Sequence, residues 1–145
     1  MSNDVAAKAP SWFRLLAVIG LLWNLIGVAM YLQNVGLFGD PLAGLNEAER
    51  ALAASIPAWV TAAFAIAVFS GLFGALALVL LKRVARPLLI LSLLAVLAQT
   101  GWIVLLSDAR AVHGLAGIAM HALIVLIAAG LAWLATSGLR RGWLN

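Results

Sequence analysis

The chain has 145 residues, 66% of them hydrophobic and 10% charged, with nine Lys and Arg against five Asp and Glu for a net charge of +4. A soluble domain is about 45–50% apolar and about 25% charged, so these proportions exclude a chain wetted on all sides. The lack of cysteine removes disulfides, thiol catalysis and thiolate metal sites, and the scattered positive residues fit membrane orientation better than a nucleic-acid surface.

Crossing about 30 Å of hydrocarbon takes about 20 apolar residues in a helix. Four segments meet that length, at 12–32, 57–81, 87–106 and 115–137, and none has an acid in its middle. They predict an all-α membrane fold, a four-transmembrane-helix bundle in which residues 1–145 form a single domain. The first apolar run, Phe13 to Leu32, exceeds an ordinary signal-peptide core of about 7–15 residues and no convincing A-x-A site follows it, so it reads as a retained helix.

Gly36, Gly39, Asp40, Pro41 and Gly44 punctuate the loop after the first span. Asn46 and Glu49 have capping-box spacing, which predicts a short amphipathic helix over 46–54. Ser55 is the expected cap of the second span, with Pro57 in its first turn. Ala67, Gly71 and Ala75 recur every fourth residue of that span, beside Ser70 and Gly74. Such rows let helices approach closely; packing within the chain is the first reading and a dimer seam the second. On the first span, Gly20, Asn24, Gly27 and Tyr31 share one face. The turn from Lys82 to Arg86 is short, so the spans it joins are antiparallel neighbours.

Lys8, Arg14, Lys82, Arg83, Arg86, Arg140 and Arg141 fall on one side of this topology, and only Arg50 and Arg110 fall on the other. The positive-inside bias therefore predicts a multi-pass protein with both termini cytoplasmic and the Asn46 helix outside. Trp12, Tyr31, Trp59, Trp102 and Trp143 lie near span ends, where aromatic rings favour the headgroup zone.

Polar groups in lipid need partners and are candidate sites. Counting about 1.5 Å per residue from the inner interface puts Asn24 about 15 Å up, Gln99 about 18 Å and His121 about 21 Å. These heights predict one polar layer just outside the midplane, facing the bundle interior, with Tyr31, Thr61 and Thr100 further out and Asp108 and Arg110 at the rim. The candidate ligand-binding set is Asn24, Tyr31, Gln99, Asp108 and His121. The bland alternative is structural glue, in which these groups merely hydrogen-bond across helices.

Residue supply argues against an enzyme. One intramembrane His cannot give bis-His haem ligation, and His113, His121 and Asp108 are too sparse for zinc. No Gly-rich phosphate loop is present, and Ser70 and Ser92 lack a base. No catalytic residue, metal site or cofactor is expected.

The stretches LLWNLIGVAMYL at 21–32, NEAERALAASIPAW at 46–59, AFAIAVFSG at 63–71, LLKR at 80–83, PLLILSLLAVLAQ at 87–99, LSDA at 106–109 and RGWL at 141–144 resemble a family of uncharacterised bacterial membrane proteins. A sugar-transporter label is often attached to that family. The resemblance implies a bacterial inner membrane and a transport-related or small-solute-binding role, and it carries no binding residues with it. A looser likeness to DoxX-like four-helix proteins rests on architecture alone. Expected partners are the lipid bilayer, a small solute, and further copies of the chain or a larger membrane complex, with no nucleic acid. The alternative role is a non-transporting accessory or structural subunit of such a complex.

The topology is tested by single-cysteine labelling, which the cysteine-free chain suits. Positions near Asn46 and Asp108 should react from outside intact cells, and positions 82 and 141 only after lysis. Labelling of position 82 from outside would reverse the orientation.

Overall fold

A computed structural model describes residues 8–145. The order is α1 (Ser11–Asn34), α2 (Glu47–Ser55), α3 (Ala58–Val79), α4 (Ala85–Leu106) and α5 (Ala109–Arg140), with no strand among the described residues. α1, α3, α4 and α5 are long and apolar enough to cross a membrane. Their ends differ a little from the sequence expectation. α4 starts at Ala85, which leaves Pro87 in its first turn, where a missing N–H costs nothing. α5 is broken by non-helical backbone at Gly114 (φ 63°, ψ −158°), and its continuous part after the break matches the predicted fourth span.

α2 forms where the capping box requires. Glu49 N–H donates to Asn46 Oδ1 and Asn46 N–H donates to Glu49 Oε2, both at 2.9 Å. Ser55 does not cap α3. Its hydroxyl donates to Leu52 O at 2.7 Å inside the last turn of α2, and the N-cap of α3 is Pro57, without a side-chain bond. A serine at a helix end can close the turn behind it as readily as open the one ahead.

α3 occupies the centre, packed against α1 on one side and α4 on the other, and α4 then packs against α5. The small residues explain this. Ala67, Ser70, Gly71, Gly74 and Ala75 are all buried. A Cβ at Gly74 would lie 2.7 Å from Leu89 Cγ and 3.1 Å from the Leu89 backbone nitrogen on α4. One at Gly71 would collide with Asn24 Oδ1 on α1. Both rows are thus consumed by packing inside the chain.

α1 and α5 touch far less, and they do so near one end. There Leu131 sits on Gly20, and Gly138 receives the ring of Phe13, whose Cζ would be 2.7 Å from an added Cβ. Phe13, Ala17, Leu78, Leu89, Leu134, Ala135 and Leu144 form the main buried cluster at this end. Trp143 stacks edge-on against Phe13 at 5.2 Å and Trp12 at 5.8 Å. Both described termini and the α3–α4 turn meet here, together with the seven basic residues named above, so it is the basic end.

Two helix ends close with the same motif. At the end of α5, Trp143 N–H donates to Gly138 O and Gly142 N–H to Leu139 O, with Gly142 at φ 71°. At the end of α3, Lys82 N–H donates to Ala77 O and Leu81 N–H to Leu78 O, with Leu81 in the left-handed position at φ 57°. A leucine is costly there, by about 1–2 kcal/mol. The C-terminal segment holds it in place: Asn145 N–H donates to Leu81 O at 2.7 Å, and Arg83 N–H donates to Asn145 O at 3.1 Å.

Two alanine substitutions test this packing. Gly101 has no heavy atom within 4 Å of its would-be Cβ. Gly101→Ala should be neutral or stabilising by up to about 1 kcal/mol, the gain in helix propensity. Gly74→Ala should instead destabilise by about 1–3 kcal/mol through overpacking against Leu89. Thermal unfolding of both variants in the same detergent measures the sign of each.

Candidate functional site

Because α1 and α5 meet only near the basic end, the arc of four helices leaves a wedge between them. It is a cavity of about 530 Å³ lined by all four spans. α4 contributes Leu89, Ser92, Val96, Gln99 and Ile103, a stripe at i, i+3 and i+7 spacing. α5 contributes His121, Ile124, Ala128 and Leu131 with the same periodicity, α1 contributes Trp23, Asn24, Gly27, Met30 and Asn34, and α3 contributes Val60, Thr61, Phe64 and Val68. Ile56, at the junction of α2 and α3, reaches the wall from the loop end.

Asn24, Gln99 and His121 all line this one cavity. They are not bonded to one another, and two of them are tied into their own helices. Asn24 Nδ2–H donates to Gly20 O at 2.8 Å, with the side chain only 9% exposed. Its carbonyl oxygen lies over the bare Cα of Gly71. His121 Nδ1 is 2.8 Å from Gly117 O. A carbonyl only accepts, so Nδ1–H donates to it, and Nε2 has no partner among the described residues. Among the described residues the Gln99 amide has no hydrogen-bond partner. Ser92 Oγ–H donates to Ala67 O at 2.7 Å and joins α4 to α3.

The polar groups form two tiers rather than one layer. Asn24 and Ser92 both face Gly71, so they share a level. Gln99 lies seven residues beyond Ser92, about 10 Å toward the loop end. Leu131 lies on Gly20; His121 is ten residues beyond Leu131 and Asn24 four beyond Gly20, so His121 stands about 9 Å above Asn24. Counting each height from an assumed interface missed this, because register is set by Gly20, Gly71 and Gly74 contacts and not by span ends. Val96 and Ile124 fill the wall between the tiers.

Tyr31 and Asp108 do not line the cavity. Tyr31 packs edge-on against Phe64 at 5.4 Å and Phe69 at 5.8 Å. Asp108 is exposed at the head of α5, where its backbone oxygen accepts from Ala111 and Val112 N–H. The hydroxyl and amide wall residues absent from the candidate set are Ser92, Thr61, Thr100 and Asn34. Ser92 was legible, since it is two helical turns from Gln99 on one face. Among the described residues no carboxylate, ammonium or guanidinium lines the cavity, and His121 is its one titratable group. The wall can donate and accept hydrogen bonds, but it offers no counter-charge and no acid–base pair.

The seat of Asn24 is testable. Gly71→Ala should destabilise by about 1–3 kcal/mol, because its methyl displaces the Asn24 amide. Asn24→Ala in the same chain should recover part of the loss, with a coupling above about 0.5 kcal/mol in a double-mutant cycle of thermal unfolding. Independent, additive losses would show that the two side chains do not compete for that space.

The chain matches no protein-family model, no curated protein and no solved structure with which it was compared.

Proposed function

We propose that the protein is a small membrane protein that holds a small solute in this cavity, in a bacterial inner membrane with both termini cytoplasmic. The observation that carries the proposal is the cavity itself. Its volume of about 530 Å³ falls in the range of about 300–1,000 Å³ usual for small-molecule sites, and a largely apolar wall with a few convergent polar groups is their common form. Gln99 supports the same view. Glue would pair its amide across helices, whereas among the described residues it is unpartnered and borders open space.

Binding is favoured over conduction by the basic end. Phe13, Leu78, Leu89, Leu134 and Leu144 close the cavity there with packed apolar side chains. Transport, which the family resemblance suggests, would require α1 and α5 to part at Gly20 and Leu131. A catalytic role is not part of the proposal, because the wall brings no base to a nucleophile.

The test uses the full chain in lipid nanodiscs with a thermal-shift screen of small solutes, since a compound that binds the folded form raises apparent stability. At least one compound should give a saturable shift, and Ala128→Trp, which fills the wedge, should remove it while helicity is retained. A screen without any saturable shift, or a shift that survives Ala128→Trp, would overturn the proposal.

A further inference from the structure

We infer that the ligand is an uncharged amphiphile with a long apolar body and a hydroxyl-type head, and that it reaches the cavity sideways from the bilayer. The inference rests on the binding proposal above and adds the ligand's chemistry and its route.

The route follows from residues that belong to two surfaces at once. Ile26 and Met30 on α1 and Met120 on α5 line the cavity, yet they remain 60%, 62% and 52% exposed. Side chains that wall a cavity and stay this exposed stand where it opens, here at the lips of a slot. The slot lies between α1 and α5 beyond the Leu131–Gly20 contact, within helices apolar enough to be surrounded by lipid. A molecule dissolved among acyl chains therefore has a direct path.

The chemistry follows from the wall. With no charged side chain there among the described residues, a charged ligand would be desolvated without compensation, at heavy cost. A pure hydrocarbon would leave the Gln99 amide unpaired in a site that had lost its water. His121 Nε2 has no partner among the described residues, and the Gln99 amide can both donate and accept. One hydroxyl satisfies such a pair. The upper tier of polar groups stands about 10 Å from the Asn24 tier with only apolar wall between, which suits an extended apolar body below the head.

Trp23 on the cavity wall supplies the readout. The full chain in nanodiscs is titrated with 11-bromo-1-undecanol, 11-bromoundecanoate and 1-bromoundecane, and quenching in the Trp23→Phe variant is subtracted to leave the Trp23 component. The alcohol should quench that component saturably, and the carboxylate and the hydrocarbon should need at least about tenfold more, the equivalent of one lost hydrogen bond. Gln99→Leu should remove the preference for the alcohol without removing the fold, checked by helicity. Alkylating Met30→Cys with a bulky maleimide should slow the onset of quenching several-fold, whereas the same label on Asn46→Cys should not. Equal quenching by alcohol and hydrocarbon, unaffected by Gln99→Leu, would mean that acyl chains merely fill the wedge and would overturn the inference. So would equal onset with both labels, which would rule out the slot. Failure of all three probes beside a positive solute screen would overturn the inference and leave the binding proposal standing. Failure of both experiments would remove the two together.

Discussion

α3 has small residues on two sides, and every other feature of the bundle depends on that. Gly71 lets α1 come close enough for the Asn24 amide to lie over a bare Cα, and Gly74 lets α4 come close enough for Leu89 to do the same. In a bilayer the lipid tails solvate apolar side chains as well as a neighbouring helix would, so close backbone approach and dispersion contact decide which helices pair. With α1 and α4 both drawn onto α3, and α5 packed on α4, little of α5 is left to face α1. The cavity is what remains of the missing fourth contact.

The polar side chains illustrate a second constraint. Asn24 and His121 each bond the carbonyl one turn back in their own helix, and Thr136 does likewise with Ala132 O at 2.8 Å. This local solution satisfies one polar atom without committing the residue to any neighbour. It leaves the other face of the side chain free for whatever occupies the space in front of it. Glue and ligand contact therefore do not exclude one another at Asn24, whereas Gln99 has no such local bond and faces the cavity uncompensated.

Much of the architecture was legible from residue patterns alone. The four long apolar runs, the capping box at Asn46 and Glu49, and the packing role of the Ala67, Gly71 and Ala75 row are local or nearly local properties. Asn24, Gln99 and His121 were legible as interior residues because lone polar groups are expensive in lipid. Their relative heights were not, since register depends on which glycine meets which leucine across helices that are distant in sequence. Tyr31 shares a face with Asn24 but was captured by Phe64 and Phe69, whose position depends on the rotation of α3. The placement of Ser55 turned on a choice between two hydrogen bonds of similar worth, which composition does not decide. The asymmetry between the tight α1–α3 contact and the sparse α1–α5 contact, and hence the cavity, is a property of the whole bundle.

The basic end is assembled from parts far apart in the chain: Phe13 and Ala17, the turn at residues 81–83, Leu131 to Gly138, and the backbone of Asn145. During synthesis α1, α3 and α4 can pair as soon as each has been inserted, because their contacts need nothing that comes later. The floor of the cavity cannot form until residues 131–145 have been made. Until then the wedge is open at both ends, and Gly20, the Phe13 ring and the left-handed Leu81 stand without the groups that cover or hold them. Without α5 and Asn145 the other three spans would hold an unfilled groove, and those two distant parts of the chain close the same end together.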